Sequence, residues 1–257
     1  MEPILKTIGL TKNFGGVTAV DSMDFELKPG IIMGLVGPNG SGKSTFLNLL
    51  TGFYIQDSGE IYLGKEEISN LPTHKRVRLG ISRTFQHTRL FENLTVLENV
   101  MSGRIYSSKS SWACRLIKVG KGVDDYRDNR KKALEVLKMM GLESIKDHNV
   151  TKVPYGQQRF LEIARSLVND PRLLLLDEPA AGMTSLEIES LKELLFALRK
   201  NGLTTIIIEH NTALVSELAN EMTVLNFGKK ICEGSCKYVL NDPTVIEAYL
   251  GGDDQIA

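Results

Sequence analysis

Cysteine is scarce. Only Cys114, Cys232 and Cys236 occur in 257 residues, and the last two sit four apart with no second pair or nearby histidine. That excludes a disulfide-stapled scaffold, gives no zinc-binding spacing, and leads us to expect reduced thiols. Net charge is lacking as well, since 31 Lys and Arg balance 31 Asp and Glu, so there is no global basic field to recruit nucleic acid. No apolar run approaches the roughly 18 residues that a membrane-spanning helix needs; the longest candidates are Ile31–Gly37 and Leu173–Leu176. The opening MEPILKTIGL has no charged region followed by an apolar stretch and a small-residue cleavage site, so secretion is not expected. Internal repeats and low-complexity segments are absent too. What is present is an ordinary globular composition, 42% apolar and 24% charged, enough for a substantial core in one large or two small domains. A soluble, cytosolic-type chain is expected.

The first thirty residues read as strands. Ile4–Leu10 and Ala19–Leu27 flank Gly15-Gly16, and the second alternates through Val20, Met23, Phe25 and Leu27. IIMGLV, after the Pro29-Gly30 turn, is a continuous apolar run of the kind expected for a strand buried on both faces. FLNLLTG then shows helical spacing at Phe46, Leu49 and Leu50, and GEIYLG reads as another strand. From about residue 94 to 170 the pattern turns helical, with Ala133, Leu134, Leu137 and Met140 as a stripe and Gly141 as its cap. Lys109–Lys132 carries eight Lys or Arg against three Asp. That suits a solvated helix face or loop, or contact with a membrane surface or acidic partner. Beyond residue 170, RLLLLD, Leu186–Arg199, TTIIIE, Ala213–Ala219, EMTVLNF and KKICEG alternate strand and helix, as parallel sheets with crossover helices do. The fold class expected is α/β, with a mostly parallel sheet and helices, an antiparallel β lobe and a helical insertion.

Gly37-Pro38-Asn39-Gly40-Ser41-Gly42-Lys43-Ser44 satisfies G-x-x-x-x-G-K-[ST] between a buried strand and a helix. Glycines let backbone N–H groups curl into an anion nest, and the helix beginning near Lys43 adds its positive end. Lys43 can reach the β- and γ-phosphates, Ser44 offers a hydroxyl to Mg²⁺, and Thr45 can reach the α-phosphate. A bound nucleoside triphosphate is the expectation. Leu173–Leu176 then deliver Asp177 and Glu178 at a strand end, where ligands of open α/β sheets bind. Asp177 fits a Mg²⁺ site. Glu178, one residue on and on the other side, is placed to polarise an attacking water. The pair points to hydrolysis rather than storage.

With these motifs in their order, nearly the whole chain resembles the ATPase subunits of ATP-binding cassette (ABC) transporters. The resemblance implies a P-loop NTPase core with an antiparallel β lobe and an α-helical subdomain. It spreads one nucleotide-binding domain over 1–257, with about 1–93 and 170–257 as core and lobe and about 94–169 as the helical subdomain. Phe14 is similar to the aromatic that stacks on adenine. Gln86, in RTFQ, resembles the glutamine that senses Mg²⁺ and the membrane partner, and His210 resembles the switch histidine. Val153-Pro154-Tyr155-Gly156-Gln157 occupies the signature position, where Tyr155, Gly156 and Gln157 would meet a γ-phosphate held by a second subunit. ATP and Mg²⁺ are the implied cofactors. Transmembrane permease subunits and a second ATPase subunit, identical or paralogous, in a head-to-tail ATP sandwich are the implied partners, at the cytoplasmic face of the membrane.

LPTHKRVRLGISRTFQHTRLFENLTVLENV, YGQQRFLEIAR, DEPAAGM and DPTVIEAYLG are similar to the importer ATPases for branched-chain amino acids. Urea, short-amide and lipopolysaccharide-export ATPases look alike, and a soluble non-transport cassette is a further alternative. A switch GTPase would need [NT]-K-x-D, and Thr151-Lys152-Val153-Pro154 lacks the Asp. Two residues depart from the pattern. Pro154 replaces the signature serine and removes both a hydroxyl and an N–H. Thr184 stands where Asp or Asn is usual, and its hydroxyl is expected to replace part of the inter-subunit hydrogen bonding. The groove near Phe85–Phe91, after Gln86, is where a cytoplasmic helix of the membrane subunit is expected to dock, with Leu90 and Phe91 as its test positions.

Overall fold

The computed structural model describes residues 2–84, 89–104 and 121–250, so Gln86, Cys114 and the first half of the basic 109–132 stretch lie outside the described residues. β1 (Leu5–Phe14) and β2 (Val17–Leu27) run further than their apolar patterns suggest. The tight Gly15-Gly16 turn lets their antiparallel pairing continue to Phe14 and Val17. β3 (Ile32–Val36) leaves this lobe for the central sheet, while β4 (Ser58–Leu63) and the two-residue β5 (Glu66–Glu67) complete a four-stranded antiparallel sheet ordered β2-β1-β4-β5.

The central sheet adds β6 (Ile81–Arg83), β7 (Leu173–Asp177), β8 (Thr204–Ile208), β9 (Glu221–Asn226) and β10 (Lys229–Gly234), in the order β10-β9-β3-β8-β7-β6. All neighbours pair in parallel except the β9–β10 hairpin. The unbroken apolar runs are explained by burial on both faces. Leu173 and Leu175 pack with Phe46, Leu49 and Phe25 toward the β lobe, whereas Leu174 and Leu176 pack with Leu161 and Leu195 on the helical side. Strand period two then puts Asp177 on the Leu173–Leu175 face.

Nine helices are described: α1 (Lys43–Leu50), α2 (Thr73–Arg78), α3 (Val96–Ser102), α4 (Lys121–Met139), α5 (Tyr155–Leu167), α6 (Ser185–Lys200), α7 (Thr212–Leu218), α8 (Cys236–Val239) and α9 (Pro243–Leu250). None of the described helices is long and apolar enough to cross a membrane. Capping boxes open α3 at Thr95/Glu98 and α6 at Thr184/Glu187. On α4 the buried stripe is Ala133, Val136 and Leu137, with Leu134 and Met140 only partly covered. It is rotated from the expected one because α3 and α5 both pack against α4. Arg76 is fully buried and closes the end of α1, donating to the carbonyls of Leu49 (2.6 Å) and Leu50 (3.0 Å); burial lowers its pKa to about 10. Cys232 and Cys236 are buried free thiols.

This topology sets the site. β3, β8, β7 and β6 are parallel neighbours, so the segments leaving their carboxyl ends converge on one edge of the molecule. Those segments carry the glycine loop, Glu209-His210, Asp177-Glu178 and Thr84.

Candidate functional site

The loop from Gly37 to Ser44 folds as a cradle around its own lysine. Lys43 Nζ donates to the carbonyls of Gly37 (2.7 Å) and Pro38 (2.8 Å) and stands near Ser41 Oγ (3.4 Å). Burial pushes its pKa down, against an upward pull from Glu178 and then Asp177. Gly42 has φ +101°, and a Cβ there would fall 2.2 Å from the Ala19 carbonyl. Gly40, at φ +76°, has nothing within 4 Å of its missing Cβ, so it faces the open mouth with Asn39 exposed beside it. No side chain caps α1, which leaves its first N–H groups for an anion. Ser44 is exposed and Thr45 half-buried at that helix start.

Opposite lies the acidic strand end. Asp177 is buried and accepts from Arg83 Nη2 at 2.8 Å, while Arg83 Nη1 donates to Asn48 Oδ1 of α1 at 2.6 Å. Ile81 and Arg83 share the face that carries Asp177, which is why the arginine meets it. Glu178 has φ +49°, unusual for a side chain of its size, and its N–H donates to the Ile208 carbonyl at 2.9 Å. Its Oε1 lies 2.7 Å from His210 Nε2. The structure thus brings Lys43, Asp177, Glu178 and His210 to one edge. Behind them Glu209 is buried and accepts from Ala180 N–H at 2.7 Å. Desolvation is the largest of the influences that raise its pKa. Ser44 and Asp177 offer hard oxygen donors, and no cluster of three metal-binding side chains occurs among the described residues. Such a sparse oxygen set suits Mg²⁺, which draws most of its ligands from phosphate and water.

The remaining predicted residues lie apart. Phe14 ends β1 half exposed, edge-on to Tyr54 with ring centroids 5.2 Å apart and with Lys12 Nζ 5.5 Å from its centre. Pro154 is the extended N-cap of α5 and contributes no side-chain cap. Tyr155 and Gln157 are exposed at that helix start and Gly156 is buried. Gln158, which sequence reasoning passed over, ties the turn by donating to the Val153 carbonyl at 2.8 Å. Thr184 Oγ1 accepts from Glu187 N–H and donates to Glu187 Oε2, capping α6 within its own chain. Phe91 is 53% exposed, under the Arg165 guanidinium at 5.9 Å, and Leu90 packs partly onto the helical core. Arg83, Asn48, Glu209 and Glu187 were not singled out from sequence. Only Arg83 had a signal there, its position three residues before Gln86 in RTFQ.

A phosphate cradle at the end of a central parallel strand, faced by paired carboxylates on a neighbouring strand, defines a P-loop nucleoside triphosphatase. The ABC transporter family model matches residues 20–181, and a second model, branched-chain amino acid ATP-binding cassette transporter, matches 229–255. The chain is 38% identical over 250 residues to the high-affinity branched-chain amino acid transport ATP-binding protein BraF of Pseudomonas aeruginosa, covering 97% of this chain and 98% of that one. Among solved structures, the ADP conformation of an ATP-binding cassette of an ABC transporter superposes with a TM-score of 0.85 at 32% identity, covering 98% of this chain and all of the other. A dimeric structure of a bacterial ABC transporter cassette matches at 0.77 and 28% identity, over 90% and 98% of the two chains. The chain belongs to the ABC transporter family of ATP-binding cassettes, and it is an ATPase.

Proposed function

We propose that this chain powers uptake of branched-chain amino acids, working as one nucleotide-binding domain at the cytoplasmic face of a membrane permease. The observation that carries the chemistry is the meeting of Glu178 and His210, at 2.7 Å, across from the Lys43 cradle. In this reading the cradle and the start of α1 hold the triphosphate, with Phe14 against adenine and Lys43 leaving its own loop carbonyls for phosphate oxygens. Ser44 and Asp177, with Gln86, hold Mg²⁺, which supplies charge neutralisation on the phosphates when bound. Glu178 accepts the proton of the attacking water, and His210 fixes the Glu178 carboxylate and faces the γ-phosphate.

The start of α5, with Tyr155, Gly156 and Gln157, addresses the γ-phosphate bound by a second cassette, so ATP joins two subunits and hydrolysis releases them. The dimeric cassette among the structural relatives supports this arrangement, and the relatives' transport role supports the substrate class. Two measurements test the reading. Glu178→Gln should form an ATP-dependent dimer in sedimentation, and a strictly monomeric Glu178→Gln with ATP bound would defeat the sandwich. Vesicles holding the cognate permease and this ATPase should accumulate leucine in an ATP-dependent way; uptake of urea instead would move the substrate to the amide group.

A further inference from the structure

The starts of α5 and α6 interlock side by side. Glu187 Oε2 accepts from Thr184 N–H at 2.8 Å and from Thr184 Oγ1 at 2.9 Å, closing the capping box of α6. The other carboxylate oxygen has a different neighbour. A Cβ added to Gly156 would fall 1.7 Å from Glu187 Oε1 and 2.2 Å from its Cδ, so the Glu187 side chain would have to swing away and give up its two hydrogen bonds to Thr184. Gly156 has ordinary helical φ, so its backbone conformation does not call for glycine; the carboxylate beside it does. Glycine in a helix costs about 1 kcal/mol relative to alanine, which makes a packing reason the more telling. A second contact runs the opposite way: a Cβ on Gly182 would meet Tyr155 Cε1 at 2.8 Å. The Tyr155 ring on Gly182 and the Glu187 carboxylate on Gly156 form a two-point seam.

We infer that Glu187 is a positioning residue for the anion-binding start of α5. One carboxylate caps α6 and sets how closely the first turn of α5 approaches the 181–184 loop, the loop that runs on from Glu178. This rests on the reading that the α5 start meets a triphosphate on a second cassette. The seam makes that start and the Glu178 loop move together, so arrival of the γ-phosphate is felt at the hydrolytic carboxylate through Gly156, Glu187 and Thr184.

The test measures kcat and KM for ATP, with nucleotide affinity at the cradle followed by a fluorescent ATP analogue, in the parent, Gly156→Ala, Glu187→Ala, Glu187→Gln and the Gly156→Ala/Glu187→Ala double variant. Overpacking against Glu187 should lower kcat of Gly156→Ala about 10- to 100-fold while cradle affinity stays within about twofold. With the carboxylate cleared, Gly156→Ala should cost nothing further, so the double variant should match Glu187→Ala in kcat within about twofold. A double variant slower than Glu187→Ala by as much as Gly156→Ala is slower than the parent would overturn the inference, because glycine would then be needed for the nucleotide itself. Should Gly156→Ala not fold, the Glu187 pair decides: Gln, which keeps shape and one acceptor, should hold kcat near the parent while Ala lowers it. Equal effects of Gln and Ala would also overturn it. Failure of ATP-dependent dimerisation in Glu178→Gln would remove the sandwich on which the inference rests, whereas dimerisation together with a failed double-variant comparison would overturn the seam alone.

Discussion

Arg83 Nη2 stands 2.8 Å from Asp177 Oδ2, joining β6 to β7 with both side chains less than a tenth exposed. The same guanidinium reaches Asn48 on α1, so the acidic strand end and the helix that follows the phosphate loop are held by one cation. Its worth lies in orientation, because a buried ion pair offsets much of its attraction with desolvation.

Breaking that pair from one side should be costly. Arg83→Met leaves the Asp177 carboxylate buried without its guanidinium, and the expected loss of unfolding free energy is about 3 kcal/mol. Asp177→Asn, which retains an oxygen acceptor, should lose less. Urea unfolding of the three proteins checks the order.

Lys43→Met should abolish tight nucleotide binding while the fold persists. The ammonium would give charge-assisted hydrogen bonds to phosphate, and losing about 2 kcal/mol or more corresponds to a thirtyfold or greater weakening of ATP affinity. Calorimetric titration with ATP in the presence of EDTA reads this step without hydrolysis.

Glu209 should make the protein less stable as pH rises. Desolvation raises its folded pKa above the ordinary glutamate value of 4.5, opposed by the Ala180 N–H and reinforced by Glu178. Below the unfolded value both states carry the proton and the contribution is fully present; it is lost as pH climbs through the higher folded value. Glu209→Gln, whose amide oxygen can still accept from Ala180, should therefore gain stability relative to the parent at pH 8 and much less at pH 4. The difference between their unfolding midpoints across that range is the measurement. A gap that shrinks with rising pH would contradict the sign.

In the proposed ATP sandwich, Pro154→Ser should raise ATP turnover by about tenfold or more, because serine would add a donor where that arrangement puts developing phosphate charge. Stability should hardly move: a serine N-cap adds about 1 kcal/mol, against about 0.4–1 kcal/mol lost with the proline's restriction of the unfolded chain. Turnover no faster than the parent would mean that Pro154 does not weaken the site.

Much of this molecule is legible locally. The cradle is a run of eight consecutive residues whose types are dictated by backbone curvature and phosphate charge, so Gly37–Ser44 reads directly. The strands of the central sheet read as unbroken apolar runs because both faces are buried, and the glycine turns bound them. Strand ends were less clear. β1 and β2 extend past their apolar residues because hairpin pairing near Gly15-Gly16 depends on backbone hydrogen bonds that polar side chains do not oppose.

The α/β alternation, the glycine loop and the Asp177-Glu178 strand end can each be read from a few adjacent residues, because local periodicity and backbone curvature carry them. Tertiary structure alone decided the partners. Arg83 and Asp177 are 94 positions apart and meet because parallel strand register puts them on one sheet face. Gly156 and Glu187 meet because two helices begin at the same place, and Thr184 turns inward because the nearest unsatisfied N–H belongs to its own helix. Such contacts depend on which elements pack together, and no short window of sequence carries that information.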